Sequence, residues 1–68
     1  MTDSQKRKMA LDAIDRYRKY AADNAVTIAN DAASLFRASE DERGDYPELS
    51  EYVRLRNHAD ALVREVLP

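Results

Sequence analysis

The amino-acid sequence predicts an all-α protein that forms a single helical domain over residues 1–68. Three observations predict this class. The chain contains only one glycine and two prolines, strong helix formers such as Ala, Leu, Arg and Glu are frequent, and apolar residues recur in steps of three and four. A chain of 68 residues is near the lower limit for one hydrophobic core, and a thin core favours a second copy. We therefore expect a dimeric helical bundle.

A long first helix is predicted over about residues 4–38. No glycine or proline interrupts the chain before Gly44, and apolar residues follow the helical period for about seven turns. These positions are Ala10, Ile14, Tyr17, Ala21, Ala25, Ile28, Ala32 and Leu35. Thr2, Asp3 or Ser4 can cap the start of this helix, and Thr2 with Gln5 has the spacing of a capping box.

The weak point of this helix is the pair Asp23–Asn24. Both residue types are poor helix formers and good N-caps. The first helix is therefore predicted either to continue through this pair or to break near residues 23–24, with a further helix starting there.

An acidic loop and a second helix follow. The segment SEDERGDYPE, residues 39–48, contains the only glycine, and Asp45 lies three residues before Glu48, a spacing that suits a helix cap. Pro47 suits the first turn of the second helix, predicted over about residues 46–67. Its apolar stripe is Tyr52, Leu55, Ala59, Leu62 and Val66, with Leu49 and Val63 at the edge.

The two predicted helices differ in length. They are expected to form a helical hairpin, but the first exceeds the second by about a dozen residues, or roughly 20 Å of helix. Part of the long helix would then lack a covering helix within the chain. This mismatch is a second reason to expect a homodimer.

A second apolar strip on the long helix is the candidate protein-binding surface. Its residues are Leu11, Val26, Ala29, Ala33 and Phe36. Phe36 is the expected anchor because aromatic side chains dominate the energetics of interfaces, and the acidic loop from Glu40 to Glu48 is the expected polar rim. The alternative is that this strip closes the dimer itself.

A basic stretch near the N-terminus suggests nucleic-acid binding as the alternative function. The bases are Lys6, Arg7, Lys8, Arg16, Arg18 and Lys19. Helical positions scatter them around the helix, whereas a phosphate-tracking surface needs unpaired charge on one face. Three acids precede bases by four residues, so ion pairs are predicted. The pairs are Asp3–Arg7, Asp12–Arg16 and Asp15–Lys19.

Polar residues at the edge of the apolar stripes are candidates for setting register. Asn24 and Asp31 lie one heptad apart, and Arg56 lies within the stripe of the second helix. A polar residue at a core position can fix register and oligomeric state when it finds a partner. We expect Arg56 to pair with Asp31 or Asn24 across the helix interface, or else this edge is exposed.

The sequence lacks the residue patterns that catalysis and metal binding usually require. The chain has no cysteine, and its single histidine, His58, has acidic residues only seven positions away on either side, which is poor spacing for a metal site. No phosphate loop or nucleophile–base pair is evident. We expect no enzyme, no cofactor and no metal. The absence of a signal-like or membrane-spanning apolar run favours a cytoplasmic location.

The segment NHADALVR, residues 57–64, resembles a stretch in the second helix of the Rop family, small plasmid copy-number regulators. The resemblance implies a dimer of helical hairpins. Rop binds RNA through its first helix, where this chain shows no corresponding positions, so no binding residue is inferred from the resemblance.

Together these features favour a small, non-enzymatic helical protein that dimerises and binds a protein partner. A regulator, inhibitor or adaptor of bacterial or phage type fits this description. The alternative is a nucleic-acid-binding regulator that uses the basic first helix.

Overall fold

The computed structural model describes residues 2–37 and 45–67, and the described residues form three helices. These are α1 (Asp3–Asp23), α2 (Ala25–Arg37) and α3 (Pro47–Val66). The all-α prediction is confirmed. The expectation of a continuous first helix is wrong, because the chain breaks at Asn24 as in the alternative. The predicted acidic loop lies mostly outside the described residues, which exclude 38–44.

A capping box starts α1, and Thr2 is the cap among the three residues that the sequence allows. The backbone N–H of Gln5 donates to Oγ1 of Thr2 at 3.2 Å, and the backbone N–H of Thr2 donates to Oε1 of Gln5 at 2.9 Å. Each side chain therefore satisfies a backbone donor that the first turn of the helix leaves without a carbonyl partner.

Asn24 interrupts the long helix without creating a loop. Its φ of −122° and ψ of 22° are not helical. Its side-chain amide donates to the carbonyl of Tyr20 at 3.0 Å, and the backbone N–H of Ile28 donates to the Asn24 carbonyl at 2.9 Å. A side chain that competes for a helix carbonyl is a recognised cause of bending.

The dimensions of the molecule show that α2 is inclined to α1. A straight helix over residues 3–37 would be about 52 Å long at 1.5 Å per residue. The longest dimension of the whole chain is only 46 Å. The break at Asn24 therefore turns α2 away from the axis of α1.

Pro47 determines where α3 begins. It occupies the first turn, as predicted, and Tyr46 directly before it is the N-cap residue, without a side-chain cap hydrogen bond. The predicted capping role of Asp45 is wrong. Proline forces the preceding residue out of the helical region, so the boundary lies at Tyr46 and Asp45 is one position too early.

The third helix runs antiparallel to α1. Tyr52, near the start of α3, contacts Tyr17 near the end of α1, with ring centroids 6.3 Å apart. Leu62, near the other end of α3, lines a cavity with Met9 and Ala13 of α1. The helix packs chiefly against α1 and more lightly against α2.

The core between these helices is thin. The buried apolar residues are Ala10, Ala13 and Ala59, and none of the large side chains in the described ranges is fully buried. The predicted stripe positions are buried or half-buried, except Ala25, which is exposed. Alanine lets the two helix axes approach closely but removes little apolar area from water.

Candidate protein-binding surface

The five residues predicted to bind a protein lie on two helices. Leu11 is on α1 and is 61% exposed, whereas Val26 and Phe36 are on α2 and are 75% and 92% exposed. Ala29 is exposed and Ala33 is half-buried. We call this set of five residues the outer strip. The side of α2 towards α3 differs, since Ile28, Asp31 and Leu35 are half-buried there.

Leu11 also lines an apolar groove between α1 and α3. The groove has a volume of about 380 Å³, and its lining residues are Arg7, Ala10, Leu11, Ile14, Val63, Val66 and Leu67. The remaining four residues of the outer strip all lie beyond the break at Asn24. The structure therefore brings Leu11 together with the end of α3, which the sequence did not suggest.

An apolar line on α3 was missed at the sequence level. Val53 and Leu67 are large and exposed, and Leu49 and Val63 are half-buried. Together with two charged residues, these positions follow each other in alternating steps of four and three. The line is Leu49, Val53, Arg56, Asp60, Val63 and Leu67. This spacing is a heptad signal, and it was readable in the sequence beside the stripe that faces α1.

The predicted nucleic-acid residues are spread around α1. Lys6 is half-buried, and the other five bases are exposed. The predicted pairs are wrong, because Glu51 with Arg54 forms the single ion pair within the described ranges. Surface pairs gain little energy against the entropy of two long side chains, so favourable spacing alone does not fix them. The bases are thus unpaired but still share no face.

The three polar residues that were candidates for setting the helix register do not form hydrogen bonds or ion pairs with one another within the described residues. Asn24 bonds to the backbone of Tyr20 in its own turn. One carboxylate oxygen of Asp31 is buried without a hydrogen-bond partner. Arg56 is exposed on α3 and forms no ion pair within the described ranges. The expected pairing of Arg56 with Asp31 or Asn24 within the chain is therefore absent from this part of the structure.

Acidic residues of α2 and α3 act on the pKa of the hydroxyl of Tyr20, which lies on α1. Burial raises the pKa of this hydroxyl, and the negative charges of Glu48, Glu51 and Asp31 raise it further. A hydrogen bond from Arg54 lowers the pKa of Glu51; the Arg54 Nε–H donates to Oε2 at 3.2 Å. The local electrostatics therefore favour the neutral form of Tyr20.

His58 lines a second, smaller cavity between α1 and α3. Its other lining residues are Met9, Asp12, Ala13, Arg16 and Leu62, and its volume is about 150 Å³. Within residues 2–37 and 45–67, no three acidic or histidine side chains converge to hold a metal ion.

Comparison with known proteins identifies no relative of this chain. The chain matches no family model, no curated protein and no solved structure. The resemblance of residues 57–64 to Rop is therefore not supported by any of these comparisons. Among the described helices, none has both the length and the apolarity needed to cross a membrane.

Proposed function

We propose that this chain is a small, non-enzymatic helical hairpin that dimerises and binds a protein partner as a regulator, inhibitor or adaptor. The observation that supports this function is the exposure of the outer strip, above all Val26 and Phe36. Scattered single apolar residues are normal at a protein surface, but grouped large ones mark interaction sites. Here the two most exposed of the large apolar side chains in the described residues lie on one short helix.

A protein partner fits this surface better than nucleic acid does. Exposed valine, phenylalanine and alanine offer apolar area and shape, which protein interfaces use at their centres. Nucleic-acid surfaces instead use cations to neutralise phosphates. The outer strip contains no cation, and the bases of α1 are distributed around the helix.

The test is capture of a partner from lysate of the source cell, with nuclease-treated and untreated samples in parallel. We expect Val26→Glu to lose a protein that the wild-type chain retains after nuclease treatment, because a buried unpaired charge opposes binding. Thr27→Glu is the matched control, since Thr27 is the next residue and is also exposed. Equal capture by the wild-type and Val26→Glu proteins would contradict the proposal. Each variant must first show wild-type helicity.

One observation favours the second candidate, a nucleic-acid-binding regulator. The bases of α1 form no ion pairs within the described residues, so their charge is available to phosphates. If this function holds, Lys8→Glu with Lys19→Glu should abolish binding to RNA or duplex DNA, and wild-type affinity should fall steeply with salt. Retention of binding by Val26→Glu together with this loss would replace the first proposal with the second.

A further inference from the structure

The four apolar residues of the line on α3 are placed symmetrically about residue 58. Leu49 and Leu67 are equidistant from residue 58, as are Val53 and Val63. Arg56 and Asp60 are likewise equidistant from it and carry opposite charges. A helix with such a line is complementary to an antiparallel copy of itself. Each apolar residue would meet an apolar residue, and each arginine would meet an aspartate.

The heptad positions agree with this arrangement. Steps of four and three alternate from Leu49 to Leu67, so the line contains successive a and d positions. Inversion about residue 58 places each a position opposite a d position of the second helix. These residues lie to one side of the stripe that faces α1, so α3 can contact α1 and a second α3 at the same time.

The apolar groove between α1 and α3 lies at one end of the proposed pairing line, where it can accept apolar side chains of a second copy. Val63 and Leu67 line it together with Leu11 and Ile14. In the symmetric pair, Val63 and Leu67 face Val53 and Leu49 of the second copy. The groove would therefore receive those two side chains, and the twofold axis would repeat the same contact at the other end.

The accessible surface area of the chain is larger than that of a typical monomer of its mass, and burial in a dimer would reduce it. The total accessible surface is 5505 Å², about 1,100 Å² more than the roughly 4,400 Å² typical of a monomer of 7.8 kDa. A standard interface buries about 800 Å² on each partner. The radius of gyration of 14.9 Å also exceeds the value of about 11 Å for a compact domain of this length.

We propose that two copies pair through α3, antiparallel, about a twofold axis beside residue 58, with Arg56 of each copy facing Asp60 of the other. This inference rests on the homodimer in the proposed function and names the surface that forms it. Such an interface is isologous, so the contacts occur twice. Val26 lies on α2, outside the pairing line, and stays available to a different protein.

Charge reversal tests the register of this pairing. In Arg56→Asp, the new aspartate of each copy faces Asp60 of the other copy. In Asp60→Arg, the new arginine of each copy faces Arg56 of the other copy. Like charges therefore meet twice in either variant, and each single variant should lose the dimer. The measured mass should fall from twice 7.8 kDa to 7.8 kDa. An equimolar mixture of the two variants should recover the doubled mass, because every reversed residue then meets an opposite charge. The double variant Arg56→Asp/Asp60→Arg should also dimerise alone.

The control is Arg64→Asp, which reverses an exposed arginine of the same helix off the line and should keep the doubled mass. A dimer unaffected by either single variant, or a mixture that stays monomeric, would overturn the proposed register. If the single variants lose helicity, the mixture and the double variant still test the register, because both should recover helicity and the doubled mass together.

A crosslinking measurement does not depend on charge. The chain has no cysteine, so Val53→Cys and Val63→Cys proteins can be mixed and oxidised. We expect a disulfide between the two variants and little within either one alone. Crosslinking of Val53→Cys to itself with equal yield would overturn the proposed pairing. Loss of the dimer interface and loss of partner capture are separate results, since Val26→Glu should reduce capture and preserve the doubled mass.

Discussion

The ring of Tyr17 on α1 meets the ring of Tyr52 on α3 edge to face, with centroids 6.3 Å apart and planes inclined at 71°. This contact joins the two helices at one end of their shared interface. The buried residues of that interface, Ala10, Ala13 and Ala59, contribute little apolar area. Edge-to-face pairs add about 0.5–1.5 kcal/mol beyond the area that they bury. The tyrosines are therefore a main link between α1 and α3.

The first prediction follows from this contact. In a double-mutant cycle with Tyr17→Leu and Tyr52→Leu, we expect a coupling of about 0.5–1.5 kcal/mol, because either change alone removes the aromatic interaction. Urea unfolding at fixed protein concentration measures it. Strictly additive losses of stability would show that the two rings do not interact.

The second prediction concerns the break in the long helix. Asn24→Ala removes the side-chain bond to the Tyr20 carbonyl and introduces the best helix former. The angle between α1 and α2 should decrease, and the ends should move apart. Spin labels at Ser4→Cys and Ser34→Cys, diluted with unlabelled protein, report this distance. Asn30→Ala is the control, because Asn30 is exposed within α2. An unchanged distance in Asn24→Ala would exclude Asn24 as the cause of the bend.

The third prediction concerns the start of α1. Thr2→Ala removes the hydroxyl that accepts from the Gln5 backbone N–H, and loss of an N-cap typically costs about 0.5–2 kcal/mol. We expect a lower free energy of unfolding at fixed protein concentration. Ser4→Ala, at an exposed position within the first turn, should cause a smaller change. Equal effects of the two substitutions would argue against a stabilising capping box.

The fourth prediction is a dependence on alkaline pH. Burial and nearby acids raise the pKa of Tyr20 in the folded chain, so folding favours the neutral phenol. Its stabilising effect is complete below the unfolded pKa of about 10 and is lost as pH rises through the higher folded value. Tyr20→Phe cannot ionise, so its stability should fall less over this range in chemical unfolding experiments. Identical pH profiles for the two proteins would contradict this assignment.

The outcome for each element shows what sequence pattern can predict here. Periodicity and the Thr2–Gln5 spacing predicted the start of α1, because both signals are local. Asn24 was ambiguous, since its effect depends on whether its side chain bonds to the preceding turn. Asp45 failed as a cap because Pro47 moved the boundary by one residue. The expected ion pairs failed because exposed long side chains gain little from pairing.

The candidate surface was predicted less completely than the fold. Single-helix patterns identified Val26 and Phe36, but the groove containing Leu11 requires knowing which end of α3 lies beside α1. The line from Leu49 to Leu67 was present in the sequence. The neighbouring stripe that packs against α1 has the same spacing, so spacing alone does not distinguish a second contact surface from the edge of the first.

Sedimentation equilibrium of the full wild-type chain over the micromolar range tests the central claim most directly, namely that a second copy covers the apolar line on α3. We expect a mass of twice 7.8 kDa and helical melting that shifts to higher temperature as concentration rises, since association stabilises only the folded chain. A fully helical species of 7.8 kDa at every concentration, with melting independent of concentration, would contradict it.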